Sequence, residues 1–408
     1  MHVVIFEGSH WTDFLPFTLT RPVFALRSGS GTLLEKQIRA TNPTRISFWI
    51  RPEMAGFVQQ YIAPTLNVPY AINTPLDSEP AMILAGRTLH FSNFERPATT
   101  CAVTEEDRLI RLAYVEAAGL THVDVMSQSD RWLKLGDLPQ AMPQARFPRH
   151  WADLIAWNEE SILADSIHWR QPPPEALRAH LINESDIHAE PGVNVGVNVV
   201  LDASKGPILL AAGCAIGSNS VIEGPCYIGP GARVSPLSLI RPGTTIGPLC
   251  RVGGEVGNSI FQSYSNKSHD GFVGDSYIGE WVNMGAGTTT SNLKSTYGLV
   301  KLQIGSKEVQ SDRVLLGAGI GDHAKTATNT QLPAGAYIGT GSLLAISNRA
   351  PHYVPSFSFW TDDAKQEMSF DKCVDVAGRM HSRRSRAIQD CDRQILRYAC
   401  ETAKKLSC

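Results

Sequence analysis

From residue 187 onward, Ile, Val and Leu recur at every sixth position, with Gly, Pro, Asn and Ser between them. Ile187, Val193 and Val199 hold the phase; after a short insertion it resumes with Leu210, Ile216, Ile222, Ile228, Val234, Ile240, Ile246 and Val252, eight positions without a miss. With roughly one residue in four Ile, Leu or Val, such a run arises by chance about once in 10⁵ trials. A period of six does not build an amphipathic helix, and Gly and Pro at this density break one. It does suit short strands separated by corners, three to a coil, with the aliphatic side chain stacked inward on its neighbours. A parallel β-helix is therefore expected. The phase returns as Phe272, Ile278 and Met284, then as Val314, Ile320, Thr326, Leu332, Ile338 and Leu344, with Thr326 the weak step. Residues 253–271 and 288–313 leave the pattern, and excursions from a rigid coil are where binding and chemistry are usually carried.

Before residue 187, short apolar strands (HVVIFE, TRISFWI, PAMILAG) alternate with helical patterns near 31–40, 52–62 and 151–163, which reads as α/β. The stretch RQPPPEALRAHLI, 170–182, reads as a stiff linker. After residue 350 a tail rich in Arg, Lys and Asp ends in DRQILRYACETAKK, which has helical spacing. Three units are expected: 1–182, 183–350 and 351–408. A net charge of −2 supplies no field for gripping nucleic acid or an anionic bilayer. No apolar run approaches the roughly 20 residues that span a membrane, and the start lacks a signal-peptide pattern, so the expected location is cytoplasmic. Eight cysteines form no C-x-x-C pair, so they read as reduced thiols; Cys214, Cys226 and Cys250 share one hexad phase, as small packing residues do.

The run NKSHDGFVGDSYIGEWVNMGAGTTTSNLKSTYG, with GDHAKTATNTQL and VPSFSF after it and LPFTLTRPVFALRSGSGTLLEK near the start, resembles the bifunctional UDP-N-acetylglucosamine diphosphorylase/glucosamine-1-phosphate N-acetyltransferase family. It is most similar to a branch of that family described as sugar nucleotidyltransferases. The resemblance implies an α/β nucleotidyltransferase-like domain, a left-handed parallel β-helix, a short helical tail and a homotrimer. It also implies acetyl transfer from acetyl-CoA to an amino sugar phosphate, with His269 as general base. The chemistry needs such a group: an ammonium has no lone pair, and imidazole, with a pKa near 6.5, can take its proton at neutral pH. By the same resemblance Arg241 grips the sugar phosphate with a forked guanidinium. Asn283 and Asn292 line the acceptor site, the Ala286 backbone faces the thioester where an N–H stabilises an oxyanion, and Ala318 and Ala336 lie along the acetyl-CoA arm.

Departures from the family pattern matter equally. Phe272 stands where the better-known branch has a tyrosine, and the excursion is about one hexad shorter, which removes a phosphate-binding lysine; Lys267 or Tyr264 is the substitute. The expected glycine-rich triphosphate loop is FEGSHWTDFLP, with Gly8 alone, and Arg87 follows Gly86 where a metal-binding aspartate is expected. Arg21, Arg27 and Lys36 are the candidate nucleotide ligands, with Asp13 as a nearby acid. No metal ligand set is assigned; Mg²⁺ and a nucleoside triphosphate are required only if this half is active. Arg379, Arg383, Arg384 and Arg386 read as a solvated helix face or as a basic edge for coenzyme A phosphates. Two rival readings stay open: a sugar nucleotidyltransferase with a structural or regulatory β-helix, and a non-enzymatic β-helix scaffold.

Overall fold

A computed structural model describes residues 1–93, 99–104, 110–116, 118–139, 145–173, 177, 179–347 and 349–407. Of the linker, 174–176 and 178 lie outside the described residues.

The N-terminal region is built on a six-stranded sheet. Strands His2–Phe6, Arg45–Trp49, Tyr70–Ile72 and Ala81–Ala85 run parallel, and Ile110–Val115 and Cys101–Thr104 add antiparallel pairs at one edge. His2–Phe6 is buried along its whole length and apolar after His2, as expected for a central strand covered on both faces. The helix Leu33–Thr41 starts on a capping box in which Thr32 and Glu35 satisfy each other's backbone N–H groups.

Residues 179–361 form the β-helix, whose strands stack into three parallel faces. On the second face the inward row is Ala189, Leu210, Ile228, Ile246, Phe261, Ile278, Ile320, Ile338 and Val354, each in register with the next. Every one is buried, and together with the inward residues of the other faces they form one continuous core. The cysteines 214, 226 and 250 belong to this core, and burial raises the thiol of Cys250 to about 12. The seven described cysteines are free thiols; Cys408 lies outside the described residues. Two phase positions are corrected. The corner after the first-face strand is one residue shorter than a hexad, so counting back from Ile278 lands on Phe272, whereas Val273 pairs with Val256 inside the coil and Phe272 faces outward, half-buried. Val314 is 44% exposed, because it follows the hairpin Val300–Ile304/Lys307–Arg313 rather than belonging to a coil. Thr326 does face inward, where its hydroxyl accepts from the Gly285 N–H at 3.1 Å.

The outward row of the second face, Tyr227, Thr245, Ile260, Tyr277, Gly319, Tyr337 and Tyr353, is the seat of the N-terminal region. Gly319 is required there: a Cβ would stand 2.8 Å from the Trp151 indole, itself fully buried. Asn158 donates to the Gly243 carbonyl at 2.7 Å and to Thr245 at 3.0 Å, which ties the helix Asn158–Ser166 to the coil. With the second face covered in this way, the first and third faces remain for chemistry. Two tail helices, Phe370–Ser382 and Asp390–Ser407, then fold back over the coil.

Candidate active site at the edge of the third face

On the third face the inward row runs Val195, Ile216, Val234, Val252 and then Lys267. An ammonium thus occupies an aliphatic rung, 1% exposed. Its Nζ donates to the carbonyls of Gly253 at 2.8 Å, His269 at 2.8 Å and Asp270 at 2.9 Å. All three donors of the side chain are thereby matched, which is what lets a cation stay in the lumen. Burial nevertheless holds its pKa down at about 8. The expectation that Lys267 binds a substrate phosphate is corrected: it points into the coil and clamps the backbone that carries His269. That clamp turns the His269 side chain outward, exposed, at the corner between the third and first faces.

His269, Asn283 and Ala286 line one cavity of about 470 Å³. Asn283 sits in the outward row of the third face, bridging Asn266 and Lys325. Ala286 turns the same corner one coil further on; its carbonyl accepts from the Asn329 N–H at 2.7 Å, and its own N–H has no partner among the described residues. Arg241 and Asn292 lie elsewhere, on the far edge of the first face. Arg241 pairs with Glu255 at 3.3 Å, and Asn292 donates to Asp275 at 2.6 Å. A strand of three residues, about 10 Å at roughly 3.3 Å each, separates the two edges. Ala318 and Ala336 are corrected: their side chains are buried in the coil, and their N–H groups bind Ser276 Oγ at 2.9 Å and the Pro333 carbonyl at 3.1 Å.

The tail completes the cavity. Arg379, Arg383 and Arg384 line it opposite the coil, and Arg384 donates to Asn266 at 2.7 Å. Its anchor is an aromatic stack. Tyr264, Trp281 and His323 occupy left-handed corner positions with φ of 57°, 57° and 60°, so their rings project from successive coils. Tyr264 and Trp281 stack at 4.3 Å, and His381 from the tail lies on Trp281 at 3.9 Å. Arg386 donates to the Tyr264 hydroxyl at 2.6 Å. Burial lowers the pKa of His381 and favours the neutral ring in this stack. Sequence reasoning had not found this seat, although aromatic side chains at successive corner positions were its visible signal.

The three nucleotide candidates are also corrected, because each is a structural cation. Arg21, 3% exposed, pairs with Asp322 and with Glu280 at 3.1 Å, both on the coil. The Arg27 guanidinium donates to the Ser30 carbonyl at 3.0 Å, and its N–H meets Tyr277 at 2.9 Å. Lys36, 1% exposed, binds Asp165 at 2.6 Å, and burial draws its pKa down to about 8. The place where a doubly wound sheet binds ligands, at the carboxyl ends of His2–Phe6 and Ala81–Ala85, is a cleft of about 30 Å³. Trp132 forms part of its wall, 5.0 Å from the Phe6 ring. Arg87 and Arg111 line it, both buried, while Glu7 is bound to Arg51 at 2.9 Å and Asp13 to His10 at 3.0 Å. Among the described residues no three His, Cys, Asp or Glu side chains group as metal ligands. These residues do not fit the magnesium that nucleotidyl transfer implies.

Residues 3–167 match the family model described as sugar nucleotidyl transferase. Over 102 residues, 24% of this chain and 25% of the relative, the sequence is 38% identical to a bifunctional sugar-1-phosphate nucleotidylyltransferase/acetyltransferase of Sulfurisphaera tokodaii. Over 93 residues, 23% of this chain and 22% of the relative, it is 38% identical to the bifunctional protein GlmU of Methanocaldococcus jannaschii. The matched stretches thus span about a quarter of the length of these relatives. A solved UDP-N-acetylglucosamine acyltransferase of Arabidopsis aligns with 48% of this chain and 74% of its own, at 12% identity and a TM-score of 0.29.

Proposed function

We propose that this protein is an acetyl-CoA-dependent acetyltransferase acting on an amino sugar phosphate, with glucosamine 1-phosphate as the acceptor to test first. The observation that carries this reading is the convergence of an outward imidazole, His269, and an unpartnered backbone N–H, Ala286, on one cavity. His269 takes the proton from the acceptor ammonium, and the freed amine attacks the thioester carbonyl. Charge builds on the carbonyl oxygen, where the Ala286 N–H donates to it. Collapse breaks the C–S bond, the proton held by His269 passes to the departing thiolate, and the neutral imidazole then takes the second proton from the acylated nitrogen and releases it to water, which leaves the neutral amide. Asn283 supplies an amide beside the acceptor. A homotrimer belongs to the same proposal, since it would set the Arg241 and Asn292 edge of one copy against the His269 edge of another.

Both relatives' names pair the two transferase activities or belong to a protein called bifunctional, and the family model covers the N-terminal region. Transfer of a nucleotidyl group from a nucleoside triphosphate to a sugar 1-phosphate is therefore the second reading. We route no step through it, because the cleft residues do not fit its metal. No helix among the described residues is long and apolar enough to cross a membrane, and a cytoplasmic location is part of the proposal. The test is incubation with acetyl-CoA and glucosamine 1-phosphate, following thiol release and the N-acetylated sugar by mass spectrometry. Pyrophosphate release from a triphosphate and a sugar phosphate, with no acetylated product, would favour the second reading.

A further inference from the structure

The cavity at His269 continues down the third face into a second, of about 490 Å³, and the two share Arg251 and Ser268 as walls. Along this groove the outward row reads Arg233, Arg251, Asn266, Asn283 and Lys325, each in register with the next. Arg233 and Arg251 are direct cross-strand neighbours, one rung apart, about 4.8 Å. Like charges so placed repel. Arg384 from the tail stands close to both, held on Asn266, and its pKa is lowered by burial and then by Arg251 and Arg233. Neither cavity has an Asp or Glu in its walls, and the Nε of Arg251 is buried without a partner among the described residues. Three guanidiniums are thus gathered with no carboxylate in either cavity wall among the described residues.

We infer that Arg233, Arg251 and Arg384 form a diphosphate subsite in the groove below His269. One forked guanidinium is enough for a single phosphate; two forks side by side on adjacent rungs suit two linked phosphoryl groups. The inference rests on the acetyltransferase reading and deepens it by naming the substrate class. Two substrates carry a diphosphate: coenzyme A and a nucleoside diphosphate amino sugar. Arg251 lies one rung from the rung of Lys267 and Arg233 two, so the subsite is about 5–10 Å along the coil from the corner of the base. An extended pantetheine arm overreaches that span, whereas one pyranose ring between amine and diphosphate fills it. The groove thus favours an amino sugar already joined to a nucleoside diphosphate as acceptor.

The test is calorimetric titration of the full chain at fixed ionic strength with inorganic pyrophosphate and with orthophosphate. Wild type is expected to bind pyrophosphate at least tenfold more tightly than orthophosphate. An Arg233→Gln/Arg251→Gln variant is expected to lose about tenfold per arginine, as removal of charge-assisted bonds does, with an unchanged Tm. Equal affinity for the two anions, or pyrophosphate binding unaltered in the variant, overturns the subsite. Displacement of pyrophosphate by UDP-glucosamine and not by coenzyme A assigns it to the acceptor; the reverse assigns it to the cofactor and removes the acceptor preference. Displacement by neither overturns its place in the reaction. His269→Ala is expected to bind pyrophosphate as wild type does, and wild-type protein that binds pyrophosphate yet transfers no acetyl group would sink the reaction and leave the subsite standing.

Discussion

Replacing Lys267 by Met removes its cation from the lumen of the coil while keeping a side chain that can fill the space. Three carbonyls, of Gly253, His269 and Asp270, then lose their donor. A buried polar group left unmatched costs about 1–3 kcal/mol. Two of the three stand at an exposed corner and can turn to water, so the net loss should be about 2–4 kcal/mol. With unfolding entropies typical of larger domains, this lowers Tm by roughly 5–15 °C. Activity should fall further than stability accounts for, because a displacement of about 1 Å at the base can cost about 10²-fold. The pH dependence has a definite sign. The folded pKa, about 8, lies below the unfolded value of 10.5, so between these values the unfolded chain binds more protons and stability from this group rises with pH. The stability difference, wild type minus Lys267→Met, should therefore grow in favour of wild type from pH 8 to 10. Calorimetric melts across that range, paired with thiol-release kinetics at temperatures where both proteins are folded, measure each effect. A variant with wild-type Tm and wild-type turnover would refute the clamp.

Three further outcomes are expected. Ile246→Ala, in the middle of the inward row, should destabilise the coil by about 2–5 kcal/mol in a denaturant titration, the range for large-to-small changes in a closed core. Lys36→Met leaves the buried Asp165 with Arg39 as its remaining cationic partner and should cost about 3–5 kcal/mol, whereas the same change paired with Asp165→Leu should recover most of it. His381→Ala removes a ring from the aromatic stack and should loosen the tail, raising the acetyl-CoA KM more than it lowers kcat and speeding hydrogen exchange in 370–386.

The hexad phase made the coil legible because a closed lumen accepts little besides aliphatic side chains, and Ile228, Ile246, Ile278, Ile320 and Ile338 stand where the spacing placed them. It slipped by one at Phe272 because a residue dropped at a corner shifts the register without changing the local composition. Lys267 was unreadable for another reason. Its polar partners are backbone carbonyls, which every residue possesses, so no side-chain pattern announces them. The charges of Arg21 and Lys36 suggested phosphate, but their carboxylate partners, Asp322 and Asp165, lie 301 and 129 residues further along the chain. Spacing cannot show such pairs. The tail was legible as a helix, while its seat on Trp281 depends on three corners that only the folded coil aligns.

The central claim is that His269 is the base. Its most direct measurement is the steady-state rate of acetyl transfer by His269→Ala beside wild type, with thermal melts of both. Because the ring lies outside the packed core, Tm should be unchanged, and kcat should fall by about 10²–10⁴-fold, the usual contribution of a positioned base. A variant that transfers acetyl groups at the wild-type rate would contradict the account.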